Sequence, residues 1–187
     1  FFDLLKERAE TGRIYIMNLD HCNSHSSFKD KVSMSNLCQE ITLPTTPIQH
    51  PDDEQGEIAL CILSAVNVGA LNDLSELENI CDLSVRALEQ IIDYQDYPVK
   101  AAEVSTKKRR SLGIGYIGLA HYLAKNGVKY SDPKAWELVD RLSEAFQYHL
   151  LRASCDIAME KGKCEGFERT KYACLLYTSD AADDIRR

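Results

Sequence analysis

The sequence predicts an α/β chain in which helices dominate and a few strands run between them. Three observations lead there. Apolar residues step by three or four through Leu74, Leu77, Cys81, Val85, Leu88 and Ile92, the period of an amphipathic helix. The same step recurs through Trp136, Val139, Leu142, Phe146, Leu150, Ala153 and Ile157. Ahead of both, "RIYIMN" at 13–18 reads as a strand. At 187 residues the chain is long enough for one domain with a hydrophobic core.

Taken in order, residues 1–11 read as the end of a helix that Gly12 releases. The chain opens on Phe1-Phe2-Asp3 without an initiator methionine, and is expected to be a fragment from inside a longer protein. After the strand at 13–18 comes a polar connector, "DHCNSHSS", and then the stretch 33–41, "SMSNLCQEI". Residues 42–57 hold three prolines and an acidic patch, and read as a surface excursion. A nearly apolar segment, 57–71, contains Cys61, Ser64 and Asn67. Asp73 and Glu76 have capping-box spacing ahead of the first long helix, and Pro98 helps close it. A further helix is expected over 116–126, with Gly127 as a left-handed cap. Asp132 and Pro133 supply an N-cap and first turn for the last long helix, which stops at Gly162. The tail at 175–187 continues no earlier pattern, and is expected to be a flexible linker or a foreign terminus of translated adapter sequence.

A formal charge of −7 disfavours long-range attraction of a nucleic acid polymer. The one dense basic run, Lys107-Lys108-Arg109-Arg110, has the charge to meet phosphate, but reads as a solvated linker. No apolar run approaches the roughly 18 residues of a membrane span and no signal peptide opens the chain, so cytoplasm is the default. The seven cysteines form no CxxC pair, which weakens a compact zinc knuckle or a thioredoxin-like dithiol.

Gly113, Gly115 and Gly118 spell G-x-G-x-x-G. A dinucleotide site needs a buried strand before the first glycine, and "TKKRRS" is not one, so these glycines read as close-packing or turn positions. His21, Cys22 and His25, with Cys38 as a conceivable fourth ligand, have the donor types of zinc. His21 and Cys22 are adjacent and would diverge on regular backbone, so a hydrogen-bonded polar loop is the expectation. Asn36, Cys38 and Glu40 stand at every second position, and on extended backbone would share a face. A carboxylate can take a hydroxyl proton, an amide can orient hydroxyls, and sulfur can act as nucleophile or one-electron centre. A nearby Glu tends to raise a thiol pKa, so neutral-thiol or sulfur-radical chemistry suits this trio better than a thiolate nucleophile.

Five blocks, "ERAETGRIYIMNLDHCNSHSSF", "SNLCQEI", "GEIALCILSAVNVGAL", "RALEQIIDYQDYP" and "RRSLGIGYIGLAHYLAKNGVKYSD", closely resemble the large, catalytic subunit of aerobic class I ribonucleoside-diphosphate reductases. The resemblance covers nearly all of residues 1–174. It implies a slice of a ten-stranded α/β barrel, built from two antiparallel five-stranded halves around a finger loop, with 175–187 outside that partial domain. It implies that Cys38 becomes the thiyl radical that removes the ribose 3'-hydrogen, that Glu40 takes the 3'-hydroxyl proton, and that Asn36 holds substrate hydroxyls. Cys61 would be one of the two reducing thiols, its partner lying upstream of Phe1.

The family also implies partners: a radical-generating, metal-containing small subunit, thioredoxin or glutaredoxin as reductant, a ribonucleoside diphosphate substrate and a second large subunit. ATP and deoxynucleotide effectors would bind outside this stretch, and no cofactor would bind directly within it. The isolated fragment is expected to be inactive, since a barrel missing strands exposes unpaired edges. The competing readings are an adenosylcobalamin-dependent ribonucleotide reductase and a non-catalytic helical interaction module.

Overall fold

The structure is a computed structural model that describes residues 1–174. The expectations for the tail at 175–187 lie outside the described residues. Helices α1 (Phe2–Thr11) and α2 (Leu19–His25) come first, followed by a long stretch held by isolated bridges. Strand β1 (Ile62–Asn67) then leads through a 3₁₀ turn (Val68–Ala70) into α3 (Glu76–Tyr94) and α4 (Lys100–Arg109). Strand β2 (Leu112–Ile117), α5 (Leu119–Lys125) and α6 (Pro133–Lys161) complete the main body. Two short 3₁₀ turns, Glu165–Arg169 and Tyr172–Cys174, close it.

β1 and β2 pair in parallel, from Ile62 opposite Leu112 to Asn67 opposite Ile117. A parallel pair needs a long crossover, which α3 and α4 provide. Side chains alternate across the pair. Val66, Ile114 and Tyr116 face the helices, while Leu63 and Ile117 on the other face are 57% and 56% exposed. The main core lies between the sheet, α3 and α6: Val66, Val68, Leu71, Leu77, Cys81, Leu142 and Phe146. A second cluster, Val85, Ala153 and Ile157, extends the contact between the two long helices. Tyr116 meets Phe146 edge to face at 5.5 Å, and its hydroxyl lies 3.2 Å from Ser143 Oγ.

The long helices follow their apolar periods. α6 begins with Asp132 as N-cap and Pro133 in its first turn, and stops at Gly162, whose φ is +87°. Gly127, with φ +67°, ends the segment of α5 as expected. α3 starts at Glu76. Asp73 Oδ1 accepts from the Ser75 amide, and Glu76 Oε1 accepts from the Asn72 amide, so the two acids cap with a one-residue offset from a regular capping box.

Several local expectations are corrected. Residues 13–18 form no strand among the described residues, because a strand-like run makes a strand only when another edge pairs with it. "DHCNSHSS" is largely helical, as α2. The Asn23 side chain donates to the Leu19 and Val32 carbonyls and accepts from the Val32 amide at 2.8 Å, which ties the helix to the chain that follows. The helix expected over 116–126 starts only at Leu119, because Tyr116 and Ile117 end β2. Trp136 does not join the α6 core, being 73% exposed.

Of the glycines at 113, 115 and 118, Gly113 serves close packing and Gly118 a turn, while a Cβ on Gly115 would meet nothing within 4 Å. A Cβ on Gly113 would lie 2.5 Å from Leu63 Cδ2 and 3.0 Å from Cys61 Sγ. Gly118 has φ +78° and packs against the Asn67 amide oxygen.

Candidate functional site

The row Asn36, Cys38, Glu40 is not extended backbone but a tight turn. The Gln39 amide donates to the Asn36 carbonyl at 3.1 Å, and Gln39 takes φ +63°, a left-handed conformation that a side-chain-bearing residue seldom adopts. Asn36 closes the turn from inside: its Oδ1 accepts from the Ile41 amide at 3.0 Å, and its Nδ2 donates to Glu40 Oε1. Amide and carboxylate are therefore brought together across the base, with Leu37 and Cys38 at the tip. Leu37 is 76% exposed, and the Cys38 thiol is exposed beside it. The alternating spacing suggested a shared face. Contact between Asn36 and Glu40 instead arises because asparagine satisfies turn amides with its own side chain.

Cys61 stands on a separate element, immediately before β1, where the Ile62 amide donates to the Ser111 carbonyl at 3.2 Å. Its sulfur lies over Gly113 on the face of the sheet that the helices leave open. It is half-buried, and burial pushes its thiol pKa up. The neutral thiol is thus favoured.

The basic run is the largest departure from expectation. It is not a solvated linker: Lys107, Lys108 and Arg109 form the last turn of α4, and Arg110 is its left-handed cap at φ +48°. Arg109 is 6% exposed and donates to Glu57 Oε2 at 2.5 Å and to Asp30 Oδ2 at 3.0 Å. Lys108 reaches Glu57 Oε1 at 2.7 Å, and Arg169 pairs with Asp30. Arg110 turns the other way, onto Glu89 and Asp93 of α3.

The Arg169 hydrogen bond, helped by Arg109, holds the Asp30 carboxyl below its usual range. Burial works against charge on Glu57, but hydrogen bonds from Arg109 and Lys108 outweigh it and its pKa is lowered. Glu57 and Asp30, 5% and 12% exposed, were missed in the sequence. The available signal was an unusually dense basic run on a chain whose net charge is acidic. Among the described residues no group of three or more His, Cys, Asp or Glu side chains is placed to hold a metal ion, so His21, Cys22, His25 and Cys38 are not brought together as one. No helix among them is long and apolar enough to cross a membrane.

Comparison with known proteins places these features in a family. Residues 1–185 match the family described as ribonucleotide reductase, barrel domain. The chain is 59% identical over 173 residues to the ribonucleoside-diphosphate reductase subunit alpha of Haemophilus influenzae, covering 91% of this chain and 23% of that protein. It is 56% identical over 172 residues to the subunit of the same name from Buchnera aphidicola of Schizaphis graminum, covering 90% and 22%. With ribonucleoside-diphosphate reductase 1 subunit alpha of Escherichia coli K12 the identity is 54% over 173 residues, covering 91% and 23%. The chain thus spans less than a quarter of the length of these relatives. The match runs through the turn at 36–40, Cys61 and both strands, and on it the chain belongs to the ribonucleotide reductase family, within that family's barrel domain.

Proposed function

We propose that this chain carries part of the catalytic centre of a ribonucleoside-diphosphate reductase large subunit, which reduces ribonucleoside diphosphates to 2'-deoxyribonucleoside diphosphates. The observation that carries the reading is the turn in which Asn36 grips Glu40 beneath an exposed Cys38, in a chain of this family. Residues 1–174 are read as a partial barrel domain. The parallel β1 and β2 are two of its strands, the turn at 36–40 is the tip of the finger loop, and the open face of the sheet, bearing Cys61, looks inward.

In this reading Cys38, as a thiyl radical, removes the hydrogen from C3' of the ribose, forming S–H and leaving a carbon radical. Glu40 accepts the 3'-hydroxyl proton, which eases loss of the neighbouring 2'-hydroxyl. Asn36 orients the hydroxyls and limits the freedom of a reactive intermediate. Cys61 and a second thiol outside this chain supply two electrons and two protons. Two thiols and the 2'-hydroxyl become a disulfide, water and a C–H bond, and the Cys38 S–H then returns its hydrogen to C3', which quenches the carbon radical and restores the thiyl. The raised pKa of Cys61 suits a thiol that must arrive protonated.

The radical is supplied by a separate metal-containing small subunit, thioredoxin or glutaredoxin restores the thiols, and ATP or deoxynucleotide effectors bind elsewhere on a dimer of large subunits. The cytoplasm is the compartment that suits this chemistry.

The test uses the full-length protein. A Cys38→Ser variant is expected to bind ribonucleoside diphosphate with wild-type affinity and form no deoxynucleotide; normal turnover would refute the assignment. Wild-type activity with the small subunit and iron, in the absence of cobalamin, separates this reading from an adenosylcobalamin-dependent enzyme.

A further inference from the structure

We propose that Arg109 is a positioning residue for the chemistry at Cys38, acting as a clasp that sets the spacing between the two stems of the loop that carries it. The proposal rests on the reductase reading above and deepens it.

The first stem, 27–32, lies on residues 169–171. The Lys29 amide donates to the Arg169 carbonyl at 2.9 Å, the Lys171 amide donates to the Ser27 carbonyl at 2.7 Å, and Phe28 bridges Thr170. Val32, which closes this stem, is fully buried. The second stem returns through Thr46 and Glu57, whose amides and carbonyls exchange bonds of 3.0 and 3.2 Å, and the Ile58 amide donates to the Ala101 carbonyl of α4 at 3.2 Å.

Each stem is thus fastened separately. Among the described residues, Arg109 is the side chain that joins them, with Nε on Glu57 of one stem and Nη1 on Asp30 of the other. A guanidinium is planar and its donors have a fixed fork, so the two carboxylates are held at a defined separation. Cys38 lies between these stems. Its reach toward a substrate hydrogen is sensitive to their spacing, since a misplacement of about 1 Å at a reacting atom can cost about 100-fold in rate.

A merely structural ion-pair cluster would affect how much protein folds. A positioning clasp would affect turnover by each folded molecule. The experiment compares Arg109→Met, the neutral triple variant Asp30→Asn/Glu57→Gln/Arg109→Met, and Arg109→Lys, each as full-length large subunit assembled with its small subunit. Arg109→Met leaves Glu57 with Lys108 and Asp30 with Arg169 but takes away the buried partner they share, and is expected to lower the thermal midpoint. The triple variant removes the buried charges of the clasp together and leaves only Lys108 and Arg169, which reach solvent, without these partners, so its midpoint should recover toward wild type.

In both, kcat is expected to fall about 10- to 100-fold, while the substrate dissociation constant stays within about 3-fold of wild type, separating loss of alignment from loss of binding. Arg109→Lys, which keeps the charge without the fork, should give an intermediate kcat. Lys107→Ala, which removes a surface pair with Glu103 and a cation–π contact with Tyr97, should leave kcat unchanged. Recovery of kcat together with stability in the triple variant would overturn the proposal, and that variant decides the matter even if Arg109→Met does not fold. Failure of the reductase reading looks different: Cys38→Ser would then turn over normally whatever Arg109 does.

Discussion

Cys81 and Cys38 carry the same thiol into opposite surroundings. Cys81 has no exposed surface and packs with Leu77 and Leu142, and burial pushes its pKa up to about 11. Its stability contribution is fully present below the ordinary thiol range and falls as pH rises from there toward about 11. In native protein at pH 8, Cys81 is expected to resist iodoacetamide until the chain unfolds, which peptide mass spectrometry of the labelled cysteines would read; early labelling would disprove its burial.

Asp30 and Glu57 behave in the opposite sense. Their native pKa values are depressed, so their contribution is present above the ordinary carboxylate range and is lost as pH falls through the depressed values. Acid unfolding followed by circular dichroism should therefore begin at higher pH in wild type than in the neutral triple variant, which has no such carboxylates to protonate.

At this scale residue types were informative and spacing was not. An amide, a thiol and a carboxylate within five positions marked the stretch 36–40 out. The period-two argument failed because Asn36 folds the backbone back through its own side chain.

The elements that were legible are those whose signals are local. α3 and α6 have their apolar stripes, and α6 has Asp132, Pro133 and Gly162 at its ends. Leu142, fully buried between these helices, has no room to be replaced: Leu142→Ala is expected to cost about 2–5 kcal/mol, measured as the shift in chemical denaturation of the full-length subunit. A cost near zero would mean that the interface between α3 and α6 is not packed as described.

β2 was not legible, because "LGIGYI" puts glycine, a poor strand former, at the positions alternating with Leu112, Ile114 and Tyr116, and so reads as a turn. Gly113 makes sense only once β1 lies alongside, with Leu63 and Cys61 occupying the space above it. α4 was hidden for a related reason. Its basic last turn looks like surface until Glu57 and Asp30, 52 and 79 residues earlier, are folded against it. Contacts of that sequence separation have no local signature.

For the whole molecule, the distinctive feature is a small parallel sheet covered by helices on one face and open on the other. The open face bears Cys61, while the long excursion between α2 and β1 carries Cys38 at its tip. The proposed function supplies a reason for both. In that reading a barrel would turn one face of each strand inward and a finger loop would bring its tip into that interior, so that the two sulfurs could serve one substrate. No period or composition could have revealed a barrel from this stretch, since closure depends on strands belonging to the remaining three quarters or so of the relatives' length.

The central claim is that Cys38 initiates a reaction in which Cys61 is oxidised. It is tested most directly by a single turnover of the full-length holoenzyme without external reductant, with the redox state of Cys61 read by mass spectrometry alongside deoxynucleotide formed. The account predicts a disulfide at Cys61 that accumulates in step with product in wild type, and neither disulfide nor product in Cys38→Ser. Product formed while Cys61 remains a free thiol, or formed at all by the Cys38→Ser enzyme, would contradict it.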